Sequence, residues 1–284
     1  RGSGHECSLS IHVSGIVMTP PPIVPNHITS RDNPRFKALR QLAGDNTAYR
    51  KLGQVWLEGE HLCQSAIDHG CTLACVVLLD TVSDEIKNDW SRKCQSLVLM
   101  PSKLMVLLST LPSPSWICAV LQLPTPVFSA DKEPTVVLDK LQDPGNAGAI
   151  LRSAAAFGFT SVMTTPETVA LWSGKVVRSA MGAHFNLRLS ESVAVSTIMA
   201  LDIPVLITDV HAGDYLHQLS AEKKLPWPCV WVFGHEGQGV SHEWKLMKTR
   251  SIRIAQPGGQ ESLNVAAAAA ICLHASASQR VEKC

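Results

Sequence analysis

The sequence predicts an α/β protein in which a mostly parallel sheet, covered by helices on both faces, follows a smaller α/β unit. Short strands that are apolar on both faces alternate with helical segments along the chain, which is typical of parallel sheets buried between helices. A proline-rich interruption separates two such alternations. The 284 residues, 45% of them hydrophobic, are also enough for two folded domains.

This pattern divides the chain into four segments. Residues 1–27 begin without methionine and read as an expression tag or disordered N-terminus, which favours Met18 as the native start. Residues 28–123 form the smaller α/β unit, and residues 124–134, with three prolines, form a linker. Residues 135–284 form the larger unit.

In the smaller unit, the first predicted element is an amphipathic helix over residues 33–44. Phe36, Leu39 and Leu42 recur at a spacing of three, and basic residues stand between them. The elements expected after it are a strand at 55–58, a helix at 62–69, a strand at 74–79, a further helix and strand, and a segment at 102–111.

In the larger unit, strands are predicted at residues 135–138, 161–164, 205–208, 230–233 and 252–254, with helices at about 146–157 and 264–276. Ligands of doubly wound sheets bind at the carboxyl ends of the strands. We therefore expect the functional residues in the loops that follow these strands.

Composition limits the function classes only weakly. The net charge of +1 neither supports nor excludes a nucleic-acid partner, which would need a local basic patch. Nine cysteines without a C-x-x-C pair suit a reducing cytoplasm, and neither they nor the eleven scattered histidines suggest a metal site. No apolar run has the length of a membrane span, and residues 265–275 read as a tightly packed helix.

The first candidate loop and helix is DPGNAGAILRSAAAFG, residues 143–158. Asn146 is expected to cap the helix, Gly148 to allow close packing, and Arg152 to lie about one and a half turns further on. A capped structural helix with a solvent-facing arginine would fit this pattern. In the functional interpretation, the Asn146 amide and the Arg152 guanidinium hold a ribose or phosphate.

Two more loops follow later strands. FGHEGQGVS, residues 233–241, has glycines in an order that differs from the dinucleotide fingerprint, and it places the Glu236 carboxylate between glycines. In residues 254–270, Ser262 and Asn264 flank Leu263 where a helix begins. They suit helix caps, but they could also hold a ribose while Leu263 covers an adenine.

Together these segments resemble the three motifs of the SpoU family of the SPOUT methyltransferase superfamily. The matches are N-x-G-x-x-x-R (Asn146, Gly148, Arg152), G-x-E-G-x-G (Gly234, Glu236, Gly237, Gly239) and S-L-N-V (Ser262 to Val265). Residues 175–185 are similar to the family's connecting stretch, so the resemblance covers about residues 135–278. One departure is that Ile254 precedes Ala255, Gln256 and Pro257, where the family usually has Ile-Pro-Met.

The resemblance implies a SPOUT-type trefoil knot, a homodimer with its active site at the subunit interface, and an L30e-like RNA-binding fold for the smaller unit. It implies methylation of a ribose 2′-hydroxyl in ribosomal or transfer RNA, with S-adenosylmethionine as donor, S-adenosylhomocysteine as product and no metal. The implied catalytic residues are Arg152, Asn146, Glu236, Asn264 and Ser262, and the cofactor-binding residues are Thr208, Gly234, Gly239, Ile254 and Leu263. The expected RNA-binding residues are Arg31, Arg35, Lys37, Arg40, Lys175 and Arg178.

We assign Arg152 to orienting the ribose and stabilising the developing alkoxide, because a guanidinium only donates hydrogen bonds. The identity of the general base stays open. The alternatives are a SPOUT enzyme that methylates a base, a non-catalytic RNA-binding protein, and a dinucleotide-dependent oxidoreductase. The Asn146 and Arg152 signature favours ribose, the intact motifs favour an enzyme, and the reordered glycine loop disfavours a dinucleotide.

Overall fold

The computed structural model describes residues 23–109, 111–123, 131–259 and 263–281, and it contains two sheets. Residues 1–22 of the predicted tag (1–27), residues 124–130 of the predicted linker, and Ser262 lie outside these ranges. Asn26 and His27, which the prediction placed in the tag, instead pair with Val98 and Leu99 in the first sheet. Within them, no helix is both long and apolar enough to cross a bilayer.

The first sheet belongs to a unit of five strands and five helices. Its strands are β1 (Asn26–His27), β2 (Gln54–Glu58), β3 (Leu73–Leu79), β4 (Leu97–Met100) and β5 (Ile117–Gln122). Its helices are α1 (Pro34–Gly44), α2 (Tyr49–Leu52), α3 (Glu60–Asp68), α4 (Asp84–Ser91) and α5 (Ser102–Leu108). The strand order is β1-β4-β3-β5-β2, and β5 runs antiparallel to β2 and β3. Strand β2 therefore lies at an edge of this sheet.

Helix α1 begins where the sequence predicts. The Asn33 side chain accepts a hydrogen bond from the Arg35 backbone N–H, and Pro34 occupies the first turn, where no backbone donor is needed. Phe36, Leu39 and Leu42 are buried against the sheet. The predicted amphipathic helix is confirmed.

The second sheet contains seven strands, all parallel. They are β6 (Thr135–Leu138), β7 (Ser161–Thr164), β8 (Arg188–Ser190), β9 (Val205–Thr208), β10 (Asp214–Tyr215), β11 (Val230–Phe233) and β12 (Arg250–Arg253). The helices are α6 (Pro144–Ala156), α7 (Gly174–Ala180), α8 (Val195–Met199), α9 (Leu216–Ala221), α10 (His242–Leu246) and α11 (Val265–Val281), with a 3₁₀ turn at Ala183–Asn186. The order is β10-β12-β9-β11-β6-β7-β8, so β12 lies between two strands that precede it in sequence.

Alternate residues of the central strands enter different hydrophobic clusters. On β11, Trp231 and Phe233 belong to the cluster shared with α6 and α11, whereas Val230 and Val232 belong to the cluster shared with α8 and α10. Because both faces are covered, the strands are apolar throughout. The predicted fold class, a parallel α/β sheet preceded by a smaller α/β unit, is confirmed, while the trefoil knot stays a prediction.

Helix α7 joins the two units. Val177 is buried within the hydrophobic cluster of the first unit, although it belongs to the second. Nearby, the Tyr49 hydroxyl donates a hydrogen bond to the Glu191 carboxylate, which also accepts one from the Leu171 backbone N–H at 2.8 Å. Apolar packing of α7 and a partly buried hydrogen bond to Glu191 thus position the first unit against the second.

His184, in the 3₁₀ turn that follows α7, is a buried neutral residue. Its Nε2 donates to the Leu171 carbonyl at 2.8 Å, its ring lies 4.6 Å from that of Trp172, and its Nδ1 has no partner among the described residues. Burial lowers the pKa of His184 to about 4, although the hydrogen bond to Leu171 acts in the opposite direction.

We expect the free energy of unfolding to fall as the pH is lowered from about 6.5 towards 4. In this pH window the histidine of the unfolded protein binds a proton, whereas the buried histidine of the folded protein does not. The free energy of unfolding therefore falls by up to about 1.4 kcal/mol for each pH unit. Urea unfolding of His184→Gln, followed across this range, should show a shallower dependence on pH. The matched variant His217→Gln, which alters an exposed histidine, should keep the original slope. Equal slopes in all three proteins would contradict the assignment.

Candidate active site

The three loops singled out in the sequence converge at one end of the second sheet. They follow β6, β11 and β12, and these strands lie with β9 in the continuous order β12-β9-β11-β6. Because all four strands are parallel, their carboxyl ends share one edge. The cleft expected for a doubly wound sheet is therefore lined by all three loops.

A chain of side-chain hydrogen bonds ties these loops together. Glu236 accepts hydrogen bonds from Asn146 Nδ2 at 3.1 Å and from the Asp143 backbone N–H at 3.0 Å, and a longer one from Gln142 N at 3.4 Å. Asn146 Oδ1 in turn accepts from Asn264 Nδ2 at 3.1 Å. Asn146, Glu236 and Asn264, predicted as site residues, are thus brought together, with Asn146 at the centre.

The helix caps differ in part from the sequence prediction. Helix α6 is capped by Asp143, whose side chain accepts from the Asn146 backbone N–H at 2.7 Å, so the prediction that Asn146 is the cap is wrong. Pro144 takes the first helical position, which leaves Asn146 inside the first turn with its amide free to face the other loops. Asn264 does cap α11, since its Oδ1 accepts from the backbone N–H groups of Ala266 and Ala267.

The hydrogen bonds determine the ionisation of Glu236. Partial burial acts to raise its pKa, but the hydrogen bonds from the Asn146 amide and from backbone N–H groups outweigh burial, and the pKa lies below its ordinary value. Glu236 is therefore a carboxylate at neutral pH. Its lone pairs are directed at donors within the protein.

Glycines make the close approaches in this site. A Cβ on Gly234 would lie 2.1 Å from the Gly239 carbonyl carbon, since the loop folds back on itself through two backbone hydrogen bonds between His235 and Gly239. A Cβ on Gly148 would lie 2.3 Å from Ser179 Cβ, so the prediction that Gly148 allows close helix packing is confirmed. His235 is occupied within the loop, where its Nδ1 accepts from the Gly237 N–H at 3.0 Å.

Arg152 lies on the same helix as Asn146, six residues further along, or about 9 Å along the axis. Its side chain is exposed, and its guanidinium has no hydrogen-bond or ion-pair partner in the described part of the chain. An exposed cation without a structural partner among the described residues is available to an anionic or hydroxyl-bearing ligand.

The residues expected to bind the cofactor surround the same edge. Gly234 is buried at the end of β11, Thr208 ends β9 and contacts the Val232 carbonyl at 3.4 Å, and Ile254 follows β12 half-buried. Leu263 is 39% exposed despite its size. A Cβ on Gly239 would meet no atom within 4 Å, so the loop backbone is accessible at this residue.

The expected RNA-binding residues fall into two groups. Arg31, Lys37 and Arg40 are exposed on or beside α1, and Lys175 is exposed on α7. Arg178 on α7 is half-buried and already engaged. Arg35 differs from the expectation, because its guanidinium turns onto the sheet and donates to Ser96 Oγ at 2.6 Å and Cys75 Sγ at 3.4 Å.

Asp139 is a residue of this site that the sequence analysis missed. Its buried carboxylate, 1% exposed, accepts from the Ser241 N–H at 2.7 Å and from Thr165 Oγ1 at 2.9 Å, linking the loops after β6, β11 and β7. The sequence feature that could have identified Asp139 is a charged residue directly after an apolar strand.

Comparison with known proteins decides the family. The sequence profile of the SpoU rRNA Methylase family matches residues 133–274, half of the chain. The chain belongs to the SpoU rRNA methylase family. All three hydrogen-bonded loops of this SpoU protein lie within the matched range.

Two relatives and one solved structure illustrate the similarity. The chain is 29% identical to an uncharacterized tRNA/rRNA methyltransferase of Synechocystis sp., over 89% of this chain and 94% of that protein. It is 26% identical to the 23S rRNA (uridine(2479)-2′-O)-methyltransferase of Streptomyces viridochromogenes, over 89% and 92%. The crystal structure of the SpoU methyltransferase AviRb from that organism matches with a TM-score of 0.76 at 23% identity, covering 88% of this chain and 99% of AviRb. AviRb has also been crystallised with the cofactor AdoMet (TM-score 0.75, 23% identity, 88% and 98% coverage).

Proposed function

We propose that this SpoU protein transfers the methyl group of S-adenosylmethionine to a ribose 2′-hydroxyl of RNA. The observation that carries the proposal is the hydrogen-bonded chain Asn264–Asn146–Glu236, which joins three family motifs at one sheet edge. Arg152 is exposed further along the same helix as Asn146. The relative that acts on uridine of 23S rRNA favours ribosomal RNA as the substrate.

The residues at the sheet edge fit an adenosyl group. Ile254 and the exposed Leu263 offer apolar surface to an adenine, and the glycines of the loop after β11 allow close backbone approach. When bound, S-adenosylmethionine supplies an electrophilic methyl on a positively charged sulfonium. We propose that no metal takes part, because a neutral thioether is already a good leaving group.

Arg152 is the group that we assign to the reacting ribose. Its guanidinium donates hydrogen bonds, which orient the 2′-hydroxyl and a neighbouring phosphate and stabilise the oxygen as it loses its proton. Holding the nucleophile in line with the methyl group supplies most of the rate enhancement expected for such a displacement.

Glu236 is assigned a positioning role. Its carboxylate is ionised and already accepts three hydrogen bonds from Asn146, Asp143 and Gln142, so it is a weak base toward a hydroxyl. We propose that it fixes Asn146, and through Asn146 the third loop, in the geometry that the substrate meets. Asn264 acts in the same way from α11.

We also propose a homodimer. In helix α11, Val265 is followed by five consecutive alanines and by Ile271, which is 42% exposed, so the helix offers an apolar surface of mostly small side chains. Light scattering at micromolar concentration should report twice the 30.7 kDa chain mass. A fully active monomer would contradict this assembly.

Calorimetry and RNA analysis test the proposed function. Titration with S-adenosylmethionine and S-adenosylhomocysteine should give saturable binding, whereas NAD should give none. Incubation with S-adenosylmethionine and RNA from cells lacking the gene should add one 2′-O-methyl site, mapped by resistance to alkaline cleavage. Binding of NAD alone, or a methyl group located only on a base, would contradict the proposal.

The basic residues of α1 give a separate prediction. Lys37→Ala with Arg40→Ala should weaken RNA binding and lower the slope of log affinity against log salt by about one to two, since two phosphate contacts are removed. Arg35→Ala should instead destabilise the fold by about 1–3 kcal/mol, because it removes a charged hydrogen bond to Ser96. Filter binding at several salt concentrations and urea unfolding separate the two effects. Identical RNA affinity in the double variant would remove α1 from the interface.

A further inference from the structure

A carboxylate that joins the two units stands on the same sheet edge as the candidate active site. Glu191 directly follows β8, and the sheet order places β8 next to β7 and β7 next to β6. These three strands are parallel, so their carboxyl ends share the edge that carries the motif loops. The polar contact between the units therefore lies on the edge where we propose that RNA reacts, two strands away from β6.

Glu191 accepts hydrogen bonds from both units. From the first unit, Tyr49 donates its hydroxyl to one carboxylate oxygen at 2.5 Å, and Arg50 Nη2 lies 3.4 Å from the other oxygen. That second oxygen also accepts the Leu171 backbone N–H at 2.8 Å, in the segment that leads into α7. We call these four residues the Glu191 cluster.

The hydrogen bond between Tyr49 and Glu191 is a charge-assisted one, in a partly buried place. The Tyr49 side chain is 6% exposed, and that of Glu191 is 17% exposed. Burial and the neighbouring carboxylate raise the pKa of the Tyr49 hydroxyl above its ordinary value, so the hydroxyl stays a donor at neutral pH. Such hydrogen bonds are stronger than those between neutral groups.

Apolar packing beside the Glu191 cluster is incomplete. A cavity of about 140 Å³ lies between the units, and it is lined by Asp45 and Tyr49 of the first unit and by Gly174 and Lys175 of the second. Protein interiors are normally close-packed, and the atoms that line a void lose contacts that would hold them in place. Val177 still packs across the contact, but the hydrogen bonds of the cluster carry a larger share of the relative orientation of the units.

The Glu191 cluster also connects the basic helix α1 with the motif helix α6. Helix α2, which supplies both donors of the first unit, begins only four residues after α1 ends. On the other side, Leu171 leads into α7, which packs through Ser179 against Gly148 of α6. A change in the cluster therefore moves α1, with its exposed basic residues, relative to the candidate active site.

We propose that Tyr49 and Glu191 are positioning residues for RNA, because their hydrogen bond holds α1 and the candidate active site in the orientation that binds one RNA molecule at both places. The proposal rests on the proposed function, which supplies RNA as the ligand. When only a fraction of the molecules has the competent orientation, the apparent affinity falls by that fraction, whereas the bound complex reacts at its normal rate. Loss of the contact thus raises the KM for RNA and leaves kcat unchanged.

Steady-state methyl transfer and filter binding of RNA by the full-length protein test this proposal. Tyr49→Phe, which keeps the ring and loses the hydroxyl, should raise the KM for RNA by about tenfold, with kcat and the affinity for S-adenosylmethionine close to those of the wild type. The slope of log affinity against log salt should stay at the wild-type value, because no phosphate contact is removed. Lys37→Ala with Arg40→Ala should lower that slope instead.

A second variant and a control complete the experiment. Glu191→Gln keeps an acceptor for the Leu171 N–H and removes the charge, so it should raise the KM for RNA by a similar factor. Because Tyr49 and Glu191 act through one contact, the double variant should show no larger effect than the larger single one. Ser276→Ala, which removes the acceptor of the buried Trp231 indole N–H, controls for a general loss of stability and should keep the wild-type KM.

Three outcomes overturn the proposal. Unchanged RNA affinity in Tyr49→Phe and Glu191→Gln would reduce the cluster to a structural contact. A fall in kcat at unchanged KM would place the effect in the chemical step, and a lower salt slope would mean a lost phosphate contact. Wild-type protein that binds RNA but transfers no methyl group would refute the proposed function alone, and filter binding by the two variants would still decide the role of Glu191.

Discussion

Arg152→Ala is expected to lower methyl transfer by about a hundredfold or more, the usual scale for losing a group that positions or stabilises a transition state. Arg152 has no structural partner among the described residues, so its removal should not disturb the fold. Affinity for S-adenosylmethionine and the assembly state should therefore stay close to those of the wild type.

Single-turnover assays at saturating cofactor and RNA measure this effect in the chemical step. Arg152→Lys should remain slow, because a point charge does not reproduce the planar fork of a guanidinium. Arg188→Ala is a suitable control, since Arg188 begins β8 at the amino end of the sheet, where it pairs with Glu133. Near-normal turnover by Arg152→Ala would show that Arg152 is only a surface residue.

Gly234→Ala should produce the second large effect, a loss of S-adenosylmethionine affinity of about tenfold to a hundredfold. The added Cβ would lie 2.1–2.2 Å from backbone atoms of Gly239 and Val240, which cannot move aside as a side chain can. Overpacking of this kind costs about 1–3 kcal/mol, and opening the loop would separate the paired backbones of His235 and Gly239.

Gly237→Ala provides a control within the same loop. Its Cβ would meet only the His235 ring, at 3.9 Å, which is ordinary van der Waals contact. Calorimetry should thus give a near-normal affinity for Gly237→Ala and a weak one for Gly234→Ala. Equal affinities in the two variants would mean that the loop does not shape the cofactor site.

Much of the second unit was predictable because its strands are buried on both faces. Strands β6, β7, β9 and β11 were predicted at the residues where they occur. A short run of apolar or small residues between turns is typical of a strand that is buried on both faces. Strands β8 and β10, with three and two residues, carry too little periodicity to be recognised.

The side chains of the site were predictable in identity but less so in orientation. Asp143 and Asn146 both suit a helix cap, and only Pro144 at the first helical position indicated Asp143. Arg35 follows the basic pattern of its helix, yet its hydrogen bond is made by Ser96, 61 residues away. The packing of Val177 into the hydrophobic cluster of the first unit depends on contacts between the two units, which no local pattern contains.

The position of β12 has a consequence for biosynthesis. This last strand is inserted between β9 and β10, both of which leave the ribosome earlier, and it delivers the third loop to the cleft. A nascent chain that has not yet released β12 lacks the strand that joins β10 to β9 and cannot complete the Asn264–Asn146–Glu236 chain. Cofactor binding should therefore arise only after translation is nearly finished, and chains truncated before residue 250 should be both unstable and inactive.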